Sequence, residues 1–412
     1  MLFPPSEEQK SIIENIQGNN VIVDAVAGSG KTTSIMHIAN NYKNLDILVL
    51  TYNAKLKVET RRRAIELKLS NVEIHSYHAF CVKYHDKNCI NDSKIINVLK
   101  KTNRSKNKKK FNYKLIIVDE VQDMTPLYFK LLCDTISRHG NNPQICVLGD
   151  RYQNIFKFNG ADSRFIIYAD KIFNINNLPW VKNKLSVSYR ITRQMADFIN
   201  KCVLNFDRLM AVKDGDPVRY IICDVFGPAY GTIQTGNKYK NIKCMTGIKS
   251  YVPYNEVIKY LASNNYDQIF ILAPSVRNER SPIRLLANKL TSDKIPIYVP
   301  NNDEETIDED IIKGKVVFST FHQVKGLERD VVIIFNFSES YYEFFNRNSD
   351  PSVCCNELYV AITRARKHLT ILHHYQDNFF KFVKPANIEK YCKFIRAKNI
   401  QKNKKTESTI AK

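Results

Sequence analysis

A chain of 412 residues is long enough for two or three domains with separate cores, and 44% hydrophobic with 25% charged residues is a globular balance, which excludes a disordered or fibrous chain. Lysine and arginine outnumber aspartate and glutamate 62 to 41, and the formal charge of +21 points to a polyanionic partner, because neutralising phosphates releases condensed counterions. The 10 cysteines include no C-x-x-C pair and no Cys/His block at zinc spacing, so they read as buried free thiols in a reducing compartment, without structural zinc. The start MLFPPSEEQK lacks the pattern of a signal peptide, and no apolar run reaches membrane-spanning length, so a soluble, intracellular protein is expected.

In chain order, the first strong element is the apolar strand Val21–Asp24, followed by Ala25-Val26-Ala27-Gly28-Ser29-Gly30-Lys31-Thr32-Thr33. Glycines let such a loop wrap a phosphate chain and turn its N–H groups inward. The following helix start, a lysine and a hydroxyl complete a site for nucleotide phosphates and Mg²⁺. Ala27, Gly28, Ser29, Gly30, Lys31, Thr32 and Thr33 are the candidates, with Ala25 standing where a P-loop usually has its first glycine. Ile47–Thr51 is a second strand. Lys100–Lys110 is a basic low-complexity stretch, most simply a solvated loop.

Leu115–Val118 is an apolar strand ending in Asp119 and Glu120. At a strand's carboxyl end beside a P-loop, Asp119 would hold Mg²⁺ and Glu120 would polarise the attacking water; the pair reads as an ATPase. Ile145–Leu148 completes the first strand set. The stretch from about Phe206 to Pro300 mixes aromatics with the turn signals Gly215-Asp216-Pro217, Gly227-Pro228 and Gly231. A second set follows, at Gln268–Ala273, Lys315–Ser319, Val331–Phe335 and Leu369–His373, before a basic tail, Lys398–Lys405. Continuous Val/Ile/Leu strands alternating with helical stretches predict parallel sheets, and two such sets predict two α/β cores.

Many P-loop proteins share that much, and finer motifs discriminate among them. Asp119-Glu120-Val121-Gln122-Asp123 resembles the DExQD motif II of superfamily 1 helicases of the UvrD/Rep/PcrA group, and Ala25–Thr33 resembles that group's AxxGxGKT motif I, which accounts for Ala25. In the same order, Gln9 in Ser6-Glu7-Glu8-Gln9 fits the Q motif, Leu50-Thr51-Tyr52-Asn53 motif Ia, and Ile74-His75-Ser76-Tyr77 the HS-aromatic motif. Val147–Phe156 with Gly160-Ala161-Asp162 is similar to motif III, Ser188-Tyr189-Arg190 to motif IV, Ser319–Glu328 to motif V, and Glu357–Ala365 to motif VI. The Ia and HS stretches lie nearest the F-box-type branch.

The resemblance implies two RecA-like P-loop cores with parallel sheets, the ATP site in the cleft between them, and reduced accessory insertions. The first core is expected over 1–185 (motifs Q, I, Ia, II and III), with a small basic insertion near 85–110. The second is expected over 186–205 plus 301–375 (motifs IV, V and VI), with 206–300 partly an inserted accessory subdomain and 376–412 a basic tail. ATP and Mg²⁺ are the implied cofactors, the metal held by Thr32 and Asp119. Gln9 would read adenine, Tyr189 would stack on it, and Glu328 would bind the ribose. Gln153 would sense the γ-phosphate, and Arg190 and Arg364 would act as arginine fingers alongside Lys31, Asp119 and Glu120.

Tyr52, Tyr77, Phe156 and Phe158 fall in motifs used to stack bases, with Phe158 where relatives usually carry tryptophan; His75 and His322 would contact the strand's backbone. The implied activity is ATP-dependent 3′-to-5′ movement on single-stranded DNA and its junctions, coupled to unwinding in replication, recombination or repair. The alternatives are a translocase that displaces proteins without unwinding, and an RNA-directed helicase. A nucleotide-silent binding module would predict damage to Lys31, Asp119, Glu120 or Arg364, and all four are intact. Richness in Asn, Lys and Ile would suit a virus or an AT-rich genome, acting in nucleus, cytoplasm or a viral replication site.

Overall fold

Strands that are apolar at every position have to be covered on both faces, and that requirement sets the architecture. The computed structural model describes residues 2–52, 54–102, 110–139, 142–226, 231–235, 238–242, 251–277, 281–301, 307 and 309–397. Asn53, most of the basic stretch Lys100–Lys110, Gly227 with Pro228, and the tail Lys398–Lys405 lie outside those residues. The chain divides into two compact units, Met1–Ser188 and Tyr189–Lys412.

The first unit holds β1 (Asn20–Ala25), β2 (Ile47–Thr51), β3 (Val72–Ser76), β4 (Leu115–Val118), β5 (Gln144–Gly149) and β6 (Trp180–Leu185). They form a six-stranded sheet ordered β3-β2-β4-β5-β1-β6, parallel throughout. Successive side chains go to opposite faces: Leu48, Leu50, Ile116 and Val118 join one core with Tyr77, Phe80 and Leu131, while Val49, Ile117, Val21 and Val23 join the other with Ile35 and Ile38 of helix Lys31–Asn41. The sole tryptophan, Trp180, heads the edge strand β6 opposite Asn20 and packs against the first of these cores.

The stretch expected as a basic insertion near 85–110 is partly core. Helix Asp92–Thr102 buries Ile95 and Val98, and Cys89 before it is buried too, all in the cluster with Tyr77 and Phe80.

In the second unit, β7 (Val187–Thr192), whose last four residues belong to it, pairs with β8 (Met210–Lys213) in a small sheet. Further on come β9 (Val218–Cys223), the hairpin β10 (Gly231–Thr235) and β11 (Lys238–Ile242), β12 (Ile269–Ala273), β13 (Ile297–Tyr298), β14 (Val316–Thr320), β15 (Arg329–Phe335), β16 (Ala365–His374) and β17 (Cys392–Arg396). Seven of these make a parallel sheet ordered β13-β14-β12-β15-β16-β9-β17.

This sheet revises the expected domain limits. The 206–300 stretch supplies β9, β12 and β13 to the main sheet, while β8 pairs with β7 and the β10–β11 hairpin forms a separate two-stranded sheet. The 376–412 stretch supplies helix Pro385–Tyr391 and β17, which pairs along β9. The physical reason is visible in β9 and its partners. Ile221 and Cys223 alternate into the same core as Ile269, Ile271, Phe318 and Ile333. Helix Val252–Leu261 is fixed to β9 by Arg219, whose Nε and Nη2 donate to Glu256 at 3.0 and 2.7 Å with both side chains largely buried. No helix among the described residues is long and apolar enough to cross a membrane.

Removing one partner of a buried ion pair strands the other, so Glu256→Ala should destabilise the second unit by about 3–5 kcal/mol in denaturant unfolding. A loss below about 1 kcal/mol, the usual worth of an exposed pair, would detach helix Val252–Leu261 from the core.

Candidate nucleotide and nucleic-acid sites

In a parallel sheet all carboxyl ends share one edge, and β1, β5 and β4 are neighbours. The loops leaving them are therefore brought together: Val26–Gly30, Asp119–Asp123 and Asp150–Gln153. The first turns sharply because Gly28 and Gly30 take positive φ, 72° and 85°. Gly30 caps helix Lys31–Asn41 with no side-chain hydrogen bond, which leaves its first N–H groups directed at whatever occupies the loop. The Ser29 hydroxyl is buried without a hydrogen-bond partner, an arrangement that suits an oxygen-rich guest. Ser188 Oγ donates to Ala27 O at 2.8 Å and pins the loop from behind.

Lys31 Nζ lies 3.1 Å from Glu120 Oε1. Burial opposes the lysine's charge, but Glu120, Asp119 and Asp150 outweigh it and hold the pKa above its ordinary value. Asp119 is buried at the end of β4, and its pKa is pushed up to about 7, by burial first and then by the Glu120 charge, against the opposing pull of Lys31. A carboxyl so placed gains from a cation. Asp119 and the Thr32 hydroxyl are the hard oxygen donors that would hold Mg²⁺ here. Among the described residues no group of three or more His, Cys, Asp or Glu could hold a metal ion.

A relay of amides continues from Glu120. Gln122 Nε2 donates to Glu120 Oε2 at 2.5 Å while its Oε1 accepts from the Asp150 N–H at 3.0 Å. Asp150 Oδ2 then accepts from Gln153 Nε2 at 2.8 Å. Glu120 itself has φ +52°, a left-handed conformation costly for a residue with a side chain. Neither Gln122 nor Asp150 was singled out in the sequence, although both sit inside the motifs quoted there. Gln9 closes the site on the other side: it forms a capping box with Ser6 and its Nε2 reaches Ser34 Oγ at 3.3 Å.

Three residues past Gln153 the chain reaches Phe156, whose ring stacks on Tyr52 at 5.4 Å and meets Phe158 edge-on at 6.1 Å. Tyr52 packs on Tyr128, and Tyr128 lies flat on Tyr77 at 4.5 Å. The series runs from core to water, with Phe158 69% exposed at its outer end. Tyr77 is 2% exposed and its face is taken by Tyr128, which corrects its expected place among base-stacking residues.

His75 is corrected likewise. Its buried ring accepts from Arg61 Nη2 at Nδ1, 3.0 Å, so the proton belongs on Nε2, which donates to Glu73 at 2.6 Å. Glu73 also accepts from Lys83, Tyr84 and Tyr113. Burial works against ionisation of Glu73, but these hydrogen bonds hold its carboxyl well below the usual carboxylate range.

In the second unit, Arg190 Nε donates to Glu328 Oε2 at 2.5 Å, joining the expected finger to the expected ribose ligand. Arg366 adds a longer contact to the same carboxylate, 3.6 Å, and the Glu328 pKa is lowered: burial opposes, and the arginine charges prevail. Arg364 is 1% exposed, with Nε on Val360 O, Nη1 on Leu327 O and Nη2 on Thr363 Oγ1. Tyr189 is half exposed, and His322 lies 3.8 Å from Glu357.

Two measurements test this geometry. A Cβ on Gly149 would sit 2.3 Å from Gln122 Oε1, so Gly149→Ala should displace Gln122 and cost about 1–3 kcal/mol in thermal or denaturant unfolding. For Glu73 the folded pKa is depressed, so its stabilisation is present above the unfolded value of 4.5 and fades as pH falls below it. Glu73→Gln should therefore cost about 1–3 kcal/mol at pH 7, and the gap from wild type should narrow below pH 4.5; a gap independent of pH would count against ionic anchoring.

An AAA domain family model matches residues 8–159, and the UvrD-like helicase C-terminal domain model matches residues 300–376. A protein of Acanthamoeba polyphaga mimivirus named as an ATP-dependent DNA helicase is 23% identical over 395 residues, covering 87% of this chain and 52% of its own length. The chain thus spans about half of that relative. A Mycoplasma pneumoniae protein named as a DNA helicase is 21% identical over 488 residues, covering 97% of this chain and 88% of its own. The solved complex of Arterivirus nonstructural protein 10 (helicase) with DNA is 9% identical, covering 89% of this chain and 64% of that one, at a TM-score of 0.42. With both family models matched in order and helicase relatives along nearly its whole length, the chain belongs to the UvrD-like group of superfamily 1 helicases.

Proposed function

We propose that the chain is an ATP-driven motor that moves on single-stranded DNA and separates strands at single-strand/duplex junctions. The observation that carries this reading is the hydrogen-bonded path Lys31–Glu120–Gln122–Asp150–Gln153, which ends three residues before the Tyr52–Phe156–Phe158 ring series. A change at the phosphates that draws Lys31 away from Glu120 alters every later bond in the path. The strand-binding rings stand at its far end.

In this reading the P-loop N–H groups, Ser29 and Lys31 bind the phosphates, and Thr32 and Asp119 hold Mg²⁺. Bound Mg²⁺ would neutralise phosphate charge and fix the oxygens in line for attack. Once Lys31 turns to phosphate, Glu120 is released to take the proton of the attacking water, with Gln122 holding the carboxylate in place. Arg190 and Arg364 supply positive charge to the γ-phosphate in the transition state, which requires Arg190 to leave Glu328 and frees that carboxylate for the ribose. Gln9 reads adenine and Tyr189 stacks on it. Tyr52, Phe156 and Phe158 take the bases, and His322 the backbone.

DNA is favoured over RNA because the named relatives are DNA helicases, and the 3′-to-5′ direction and a role in replication, recombination or repair rest on the family resemblance. A second reading, translocation that displaces proteins without unwinding, is favoured by the short span after Cys81, where helix Asp92–Thr102 packs into the first core.

ATP hydrolysis with and without single-stranded DNA or RNA tests the proposal. Strong stimulation by DNA is expected, and both Lys31→Ala and Arg364→Ala should lower the stimulated rate by at least about a hundredfold, the scale of losing one transition-state charge contact. Hydrolysis indifferent to both nucleic acids would overturn the motor reading. Duplexes tailed on the 3′ or 5′ side then separate direction from polarity-blind binding, and a failure to unwind either, with hydrolysis still stimulated, would select the second reading.

A further inference from the structure

β3 ends the first unit's sheet, and beside it lies a groove of about 710 Å³ between helix Ala54–Glu66 and helix Tyr77–Tyr84. Its lining includes Ile65, Leu69, Val72 and Val82, with Arg61 and Lys83 among them. Ile65 is 76% exposed, and Val58 one heptad earlier on the same helix face is 60% exposed. Residues 54–70 carry six cations (Lys55, Lys57, Arg61, Arg62, Arg63, Lys68) against two carboxylates, Glu59 and Glu66. None of these residues belongs to the nucleotide site or to the ring series.

We infer that this groove docks an acidic, apolar peptide segment of a partner protein. An aliphatic stripe left in water at heptad spacing, next to an apolar channel, is the arrangement that receives the i, i+4, i+7 anchors of an amphipathic segment. The surrounding cations complement carboxylates on that segment's outer face and speed its capture. Single-stranded nucleic acid is the poorer fit. The groove's lining has no phenylalanine, tyrosine or tryptophan to stack a base.

The test uses the full chain and a fluorescein-labelled peptide of about fourteen residues, with Leu and Phe at helical i, i+4, i+7 spacing and Asp or Glu elsewhere. Anisotropy should saturate for this peptide and stay flat for the same peptide with Lys replacing the acids, or Ser replacing Leu and Phe. Ile65→Asp should weaken binding at least about tenfold, the effect expected of a central anchor, and Val58→Asp should weaken it in the same direction. Both changes are at exposed positions and should leave ATP hydrolysis and thermal unfolding as in wild type. Equal binding to wild type and both variants would overturn the inference. So would competitive displacement of the peptide by oligo-dT together with an equal loss of oligo-dT affinity in Ile65→Asp, which would assign the groove to the nucleic-acid track.

Discussion

Two carboxylates and one ammonium, brought out of water together at the end of β4, are the constraint around which the first unit is arranged. Lys31 offsets part of the burial of Asp119, and the charges of Glu120 and Asp119 outweigh the burial of Lys31. Such a cluster is poised to change. A guest that brings several negative oxygens competes for the lysine, and a divalent cation would relieve the repulsion between Asp119 and Glu120. In the proposed function this cluster is what receives a metal–polyphosphate pair, and Glu120 enters it from a left-handed turn at the strand end.

From this cluster a hydrogen-bonded path runs through the Gln122 amide and Asp150 to the Gln153 amide. Gln122 and Gln153 each present both a donor and an acceptor, so they can join carboxylates without adding charge to a buried place. Gly149 belongs to the same device through what it lacks, because a single carbon there would occupy the space of Gln122 Oε1. The path and the ring series beyond it are built from one unit's own loops, and both depend on the order β4-β5-β1 that sets those loops side by side.

Much of this could be read in the sequence because it is carried by short runs. Strands apolar at every position, a Gly-Ser-Gly-Lys-Thr turn and a pair of acids after LIIV all declare themselves within ten residues. The second unit was harder to delimit. β9, VRYIIC, follows a Gly-Asp-Pro turn and is separated from its sheet neighbours in the chain by about a hundred and fifty residues on the β16 side, so its membership depends on long-range pairing that no local pattern reveals. Burial of aromatic rings is likewise set by residues distant in the chain. Tyr52 and Tyr77 look alike in sequence, each in a short motif after a strand, and only the placement of Tyr128 shows that one ring is sealed in and the other is nearer the surface. The burial of His75 is equally hidden in the sequence, since its partners Arg61 and Glu73 lie on a neighbouring helix and on its own strand.

The solitary indole of Trp180 has a consequence of a different kind. It sits at the head of β6, in register with Asn20 and against the core that includes Tyr77 and Phe80, and the second unit contains no tryptophan at all. Excited selectively, its emission follows the melting of Met1–Ser188 alone, whereas the far-ultraviolet dichroism of the chain sums both units. The molecule thus carries an internal spectroscopic label for one half, and comparing the two signals during denaturation reveals whether its halves unfold as one cooperative body or in sequence.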